Sequence, residues 1–165
     1  MGADIHMVLE TKCGPEWVGV HSYPHALVAA YSRGSNGELP ERIPGVTWPV
    51  VTERNYELFA KLAGVRGDGP EPNGVPEDVS QLARVSIARW GGDGHSHSHL
   101  SLQEFAKRYA SCREVIGEAT ARRLEGEELL NIQKDAEVIC TGGYDSERGE
   151  AGMDTDVRIV FWFDN

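Results

Sequence analysis

Cysteine is scarce and oddly numbered in this chain: Cys13, Cys112 and Cys140 are three in 165 residues, with no C-x-x-C spacing. That pattern argues against a disulfide framework and against a cysteine-built zinc site, and predicts free thiols in a reducing cytoplasm. Positive charge is also short. Sixteen Lys and Arg face 26 Asp and Glu, a net charge of −10. Contact with an extended nucleic-acid backbone needs clustered Lys and Arg, so that class of partner is not expected. One small anionic ligand held by a few local groups is compatible with the same charge. No apolar run approaches the ~20 residues of a membrane span, so no membrane partner is expected. Met1-Gly-Ala-Asp-Ile-His6 has neither the basic start nor the apolar stretch of a secretory leader. Gly-x-x-x-x-Gly-Lys-Ser/Thr, Gly-x-Gly-x-x-Gly and Gly-x-Ser-x-Gly are absent, which removes the support for P-loop, dinucleotide-fold and hydrolase-elbow chemistry.

What is present is an ordinary globular composition, 40% hydrophobic and 25% charged, over a length that suits a single domain, 1–165. Asp4 to Thr11 alternates. Ile5, Met7 and Leu9 share one face, and Asp4, His6, Val8 and Glu10 share the other, which predicts a strand. Cys13-Gly-Pro15 is a turn and Trp17-Val-Gly-Val-His21 a return strand, giving a β-hairpin. Residues 24–50 are punctuated by Gly and Pro and read as a long irregular connection after a turn or two of helix at Ala26 to Tyr31. Thr52 is the expected N-cap of a helix over Arg54 to Ala63, with Tyr56, Phe59, Leu62 and Ala63 inward and Gly64 at its end. A loop over 67–76 follows, and Pro76 sits where it can open a short helix that ends before Gly91.

Ser101-Leu-Gln-Glu104 is a capping box. Its helix should turn Leu102, Phe105, Ala106 and Tyr109 inward. A further helical region, interrupted by Gly117 and Gly126, runs to about Lys134, and Val138-Ile-Cys140 reads as a short strand. The last strand alternates Val157, Ile159, Phe161 and Phe163 with Arg158, Val160 and Trp162. Both faces are apolar at its centre, so it belongs inside the sheet, paired with the N-terminal hairpin. The predicted fold is α+β, a small mainly antiparallel sheet with several helices on one face and long loops.

The chemistry is concentrated at His95-Ser-His-Ser-His99, which holds half of the six histidines. In an extended segment His95, His97 and His99 project to one side, and two of them can share a divalent metal such as zinc. Further ligands would come from Asp4, His6, His21, His25 or Asp93. The structural alternative is a polar loop whose serines, Ser98 among them, bond the backbone. A helix cap directly after the run counts against a cupin, and one His99-Leu-Ser101-Leu copy is half of what a two-histidine phosphoesterase needs. Asp4 beside His6 suits a general base or half a metal site, or a polar pair tying the sheet to a loop. Arg54-Asn55-Tyr56 at a helix start offers an anion a fork donor, helix N–H groups and a stacking ring. Trp48 and Trp90 lie in Gly/Pro-bounded loops, where an indole serves as lid, anchor or satellite core.

Taken in order, Met1-Gly-x-Asp-Ile-His6, Arg54-Asn-Tyr-x-Leu-Phe-Ala60-x-Leu-Ala-x-Val-Arg66, Pro76-x-Asp-Val-Ser80, Asp93-x-His-Ser-His-Ser98-x-Leu-x-Leu-x-Glu104 and Phe161-x-Phe-Asp-Asn165 resemble a group of small bacteriophage- and prophage-encoded proteins. The resemblance spans nearly the whole chain. It implies a phage accessory protein acting in the bacterial cytoplasm, a setting in which such proteins block host defence or redirect host machinery. The leading expectation is a homo-oligomeric binder of a small anionic, nucleotide-like ligand. Its expected contacts are Asp4, His6, Arg54, Asn55, Tyr56, Trp90, Asp93, His95, His97 and Ser98. The alternatives are a metal-dependent phosphoester hydrolase with His95, His97, Asp4 and His6 on the metal, and an acidic inhibitor of a host protein.

Overall fold

The computed structural model describes residues 2–20, 54–125 and 156–165. Strand β1 (Asp4–Cys13) turns through Gly14, whose φ of +63° suits glycine, into β2 (Glu16–Val20). After it come α1 (Tyr56–Ala63), α2 (Gln81–Trp90), a 3-10 turn at Gly91–Asp93, β3 (His95–Ser101), α3 (Leu102–Ala110), α4 (Arg113–Ile116), α5 (Glu118–Glu125) and β4 (Val157–Asp164). The four strands form one antiparallel sheet in the order β2-β1-β4-β3. The α+β class and the inside position of the last strand agree with the sequence. The connection at 24–50, Thr52, His21, His25, the helical stretch beyond 125 and the strand at Val138-Ile-Cys140 lie outside the described residues.

Alternation decides what each sheet face does. Ile5, Met7 and Leu9 pair across from Phe163, Phe161 and Ile159, and this face packs on Leu58, Phe59 and Leu62 of α1 and on Leu102 and Phe105 of α3. The opposite face carries Val8, Val160 and Trp162 under Ala83, Leu82, Ile87 and Trp90 of α2, with Val79 just before that helix. Helices therefore cover both faces, not the single face expected. The polar face of β1 is roofed because its charges are matched within it. Glu10, fully buried, accepts Arg158 Nε at 2.6 Å and the Ser80 backbone N–H at 2.7 Å. Arg158 also donates to Asp78 at 2.8 Å and lies over the Trp17 ring at 3.9 Å.

The helix starts are local chemistry. The capping box is present in full, with Ser101 Oγ accepting from Glu104 N and the Glu104 carboxylate accepting from Ser101 N. Asn55, not Thr52, caps α1, accepting from Leu58 N, so the helix starts at Tyr56 and not at Arg54, and Gly64 closes it in the left-handed conformation. α2 starts at Gln81 with Ser80 as its N-cap, so Pro76 lies before the helix and not in its first turn. Tyr56 is 40% exposed and not inward, being the first residue of its helix. Cys13 is disulfide-bonded, while Cys112 is a buried free thiol, so the expectation of three thiols does not hold. Disulfides are uncommon in a reducing cytoplasm, and this one weighs against that compartment.

Gly19 lets α2 approach the sheet. A Cβ there would stand 2.6 Å from Leu82 Cβ and 2.8 Å from Ser80 Oγ. Gly19→Ala is expected to lower folding stability by about 1–3 kcal/mol through overpacking, read as a lower urea midpoint.

Candidate functional site

β1 and β4 run antiparallel in a register that sets His6 opposite Trp162 and Asp4 opposite Asp164, so their side chains gather on the α2 face at one end of the sheet. Trp90, the last residue of α2, lays its ring on His6, with centroids 4.0 Å apart and planes tilted 30°. His6 stacks in turn near Trp162 at 5.7 Å, and His97 lies on Trp162 at 6.5 Å with an 18° interplanar angle. The result is a bank of near-parallel rings, Trp90, His6, Trp162 and His97, drawn from a helix end and three strands.

The edge strand β3 is not regular. His95 pairs with Phe163 and Ser98 with Phe161, so the stretch between them holds one residue too many. Ser96 takes up the excess with φ +50°, a left-handed conformation costly for a non-glycine residue. The bulge breaks the expected one-sided projection. His95 stacks against Phe163 on the α1 and α3 face, while His97 stacks on Trp162 on the other. His99 Nδ1 hydrogen-bonds Gly74 O at 3.0 Å, and Asn73 N donates to Ser98 Oγ at 3.0 Å, so residues 73–74 line the edge of β3.

Three ring nitrogens in this region are buried without a hydrogen-bond partner: His6 Nε2, His95 Nε2 and Trp162 Nε1. Asp164 Oδ2 comes within 3.3 Å of His6 Nε2, near enough for charge attraction but outside hydrogen-bond alignment. Asp4 does not orient His6. Its carboxylate is gripped by Arg54 through two bonds, 2.7 and 3.0 Å, which hold its pKa below the usual carboxylate range. The polar pair that ties the sheet to the segment before α1 is thus Asp4 with Arg54, not Asp4 with His6. Gly2 makes room for it, since a Cβ there would strike the Arg54 guanidinium.

His6, Trp90 and His97 thus come together, with His95 close by across β4 and Asp4 with Arg54 alongside. Asn55 is spent on its cap, Tyr56 stands edge-on to Phe59 at 5.8 Å, Ser98 is tied to Asn73, and Asp93 is exposed on the 3-10 turn. Trp162, Asp164 and Gly94 were not among the expected contacts. Trp162 reads in the sequence as core, and only the strand register reveals its unpartnered nitrogen. Among the described residues no three His, Cys, Asp or Glu gather in a way that could hold a metal. The expected set of His95, His97, Asp4 and His6 is not brought together as one group. The bulge sends His95 and His97 to opposite faces, and Arg54 occupies Asp4.

Burial, and then the neighbouring His95, lower the pKa of His97, so it is neutral at pH 7. The unfolded chain takes up a proton here before the folded one does. This contribution to stability is full above the ordinary histidine value and declines as pH falls below it. Equilibrium unfolding between pH 7 and 5 is expected to show a downward slope that is shallower in His97→Gln.

No family model, no curated protein and no solved structure matches this chain. The site stands on its own geometry. Among the described residues no helix is long and apolar enough to cross a membrane.

Proposed function

We propose that this protein is a non-enzymatic binding module for a small nucleotide-like ligand, held where Trp90, His6, Trp162 and His97 converge. The observation that carries this reading is that two ring nitrogens on this face, Trp162 Nε1 and His6 Nε2, are buried without a hydrogen-bond partner. Buried polar atoms are nearly always satisfied, and an orphan costs ~1–3 kcal/mol, so two on one face argue for a partner that arrives from outside. Flat rings beside them suit a flat ligand. Exposed Arg89, in the last turn before Trp90, can meet the ligand's negative charge. With the resemblance to phage proteins, the reading extends to sequestration of a host defence signal in the bacterial cytoplasm by a homo-oligomer. The Cys13 disulfide is the observation that weighs against that compartment.

The test is recovery. The protein is incubated with linear and cyclic nucleotides, desalted and heated, and the released material is analysed by mass spectrometry. The expected result is retention of a nucleotide, its release unchanged, and a raised melting temperature in its presence, since ligand at ~100 times its Kd adds about 2.7 kcal/mol. Release of a cleaved product would replace binding with catalysis. No retention and no melting shift with any nucleotide would reject the reading.

A further inference from the structure

Resting on that reading, we infer that the part of the ligand taken among these rings is an uncharged heteroaromatic ring bearing a hydrogen-bond acceptor, a nucleobase, and that the phosphate stays outside.

The donor at Trp162 sets the polarity. An indole N–H can only donate, and Trp162 is 98% buried by its 2% relative exposure, with Nε1 unpartnered. Its complement must therefore be an acceptor, such as a base carbonyl or ring nitrogen. His6 Nε2, on the same face, can donate or accept according to tautomer, so it fits the mixed edge of a base.

The surroundings of that donor are aromatic and close-fitting. A Cβ built on Gly94 would lie 3.5 Å from Trp162 Cδ1, 3.5 Å from His97 Nε2 and 3.3 Å from Trp90 Cβ. Gly94 thus sits beside the pyrrole edge of Trp162, at the end of the Gly91-Gly92-Asp93-Gly94 turn. A Cβ on Gly91 or Gly92 would meet nothing within 4 Å. On this inference the turn moves aside for the base, which then stacks among these rings. Every base has a π-face, and base–aromatic stacking contributes ~1–3 kcal/mol per base.

Charge excludes the phosphate from the same place. The charged group against His6 is the Asp164 carboxylate at 3.3 Å. The nearby Arg54 is committed to Asp4. His97 is neutral. An anion placed at the ring nitrogens would meet the Asp164 carboxylate, of its own sign, and lose its water, whereas a neutral ring loses little.

Isothermal titration and melting shifts with adenosine, guanosine, cytidine and uridine, against ribose 5-phosphate and inorganic phosphate, test this. At least one nucleoside is expected to bind, and ribose 5-phosphate and phosphate are not. Trp162→Phe keeps an aromatic ring, smaller than the indole, and removes the donor, and should weaken that nucleoside about tenfold, as loss of a buried hydrogen bond does. Gly94→Ala, at φ −76°, puts a methyl 3.3 Å from Trp90 Cβ and 3.5 Å from Trp162 Cδ1, and should weaken it. Binding of ribose 5-phosphate or phosphate with no nucleoside would overturn this inference and leave the binding reading intact. Equal nucleoside affinity in Trp162→Phe and wild type would overturn it too. Failure of every nucleotide and nucleoside rejects the binding reading itself.

Discussion

Arg158→Met is expected to destabilise the fold by about 3–5 kcal/mol, because it strands a fully buried carboxylate. In the native chain Glu10 splits its two oxygens between the Arg158 guanidinium and the Ser80 backbone N–H. Remove the guanidinium and only the amide remains for a full negative charge under α2. The ring contact of Arg158 with Trp17 is lost as well. Glu10→Leu should cost less than Arg158→Met, since Arg158 is left with Asp78, which is 65% exposed and can screen it. The double variant should recover part of the loss, as replacing a buried pair by apolar side chains often does. Urea unfolding of the four proteins gives the coupling directly. If the single losses simply add, the pair is not acting as a unit.

Phe163→Ala is the second large effect, about 3–5 kcal/mol by cavity formation. Phe163 is fully buried and meets Phe59 edge-on at 5.0 Å and Phe161 at 6.0 Å. It also backs His95 at 6.2 Å. A cycle with Phe59→Ala should show a coupling of about 0.5–1.5 kcal/mol, the edge-to-face share beyond burial. Ligand affinity should fall with it, because β4 carries Phe163 on one face and Trp162 on the other.

The parts of this fold that rest on near neighbours were legible in the sequence. The alternation of β1 and β4, the capping box at Ser101 and the glycine stop at Gly64 each need only a few residues to be recognised. The two apolar faces at the centre of β4 announced an inside strand. What could not be read depends on pairs far apart along the chain. Glu10 and Arg158 neutralise each other across 148 positions, and without that pairing the polar face of β1 looks hydrated. The carboxylate near His6 is Asp164, not Asp4, because register decides it and Arg54 claims Asp4 first. The bulge at Ser96 carries no glycine to mark it, so the histidines were expected on one side and lie on two. The site itself was half legible. His6, Trp90 and His97 stood out by type, whereas Trp162 was hidden among core residues.

The central claim is that Trp162 Nε1 is a donor awaiting a ligand. The most direct measurement is the indole N–H resonance of Trp162 in ¹⁵N-labelled protein, identified among the four tryptophans by its loss in Trp162→Phe. On titration with the nucleoside that binds, this resonance should move downfield and saturate, as a donor does on gaining an acceptor. A bound nucleoside that leaves it unmoved would contradict the account.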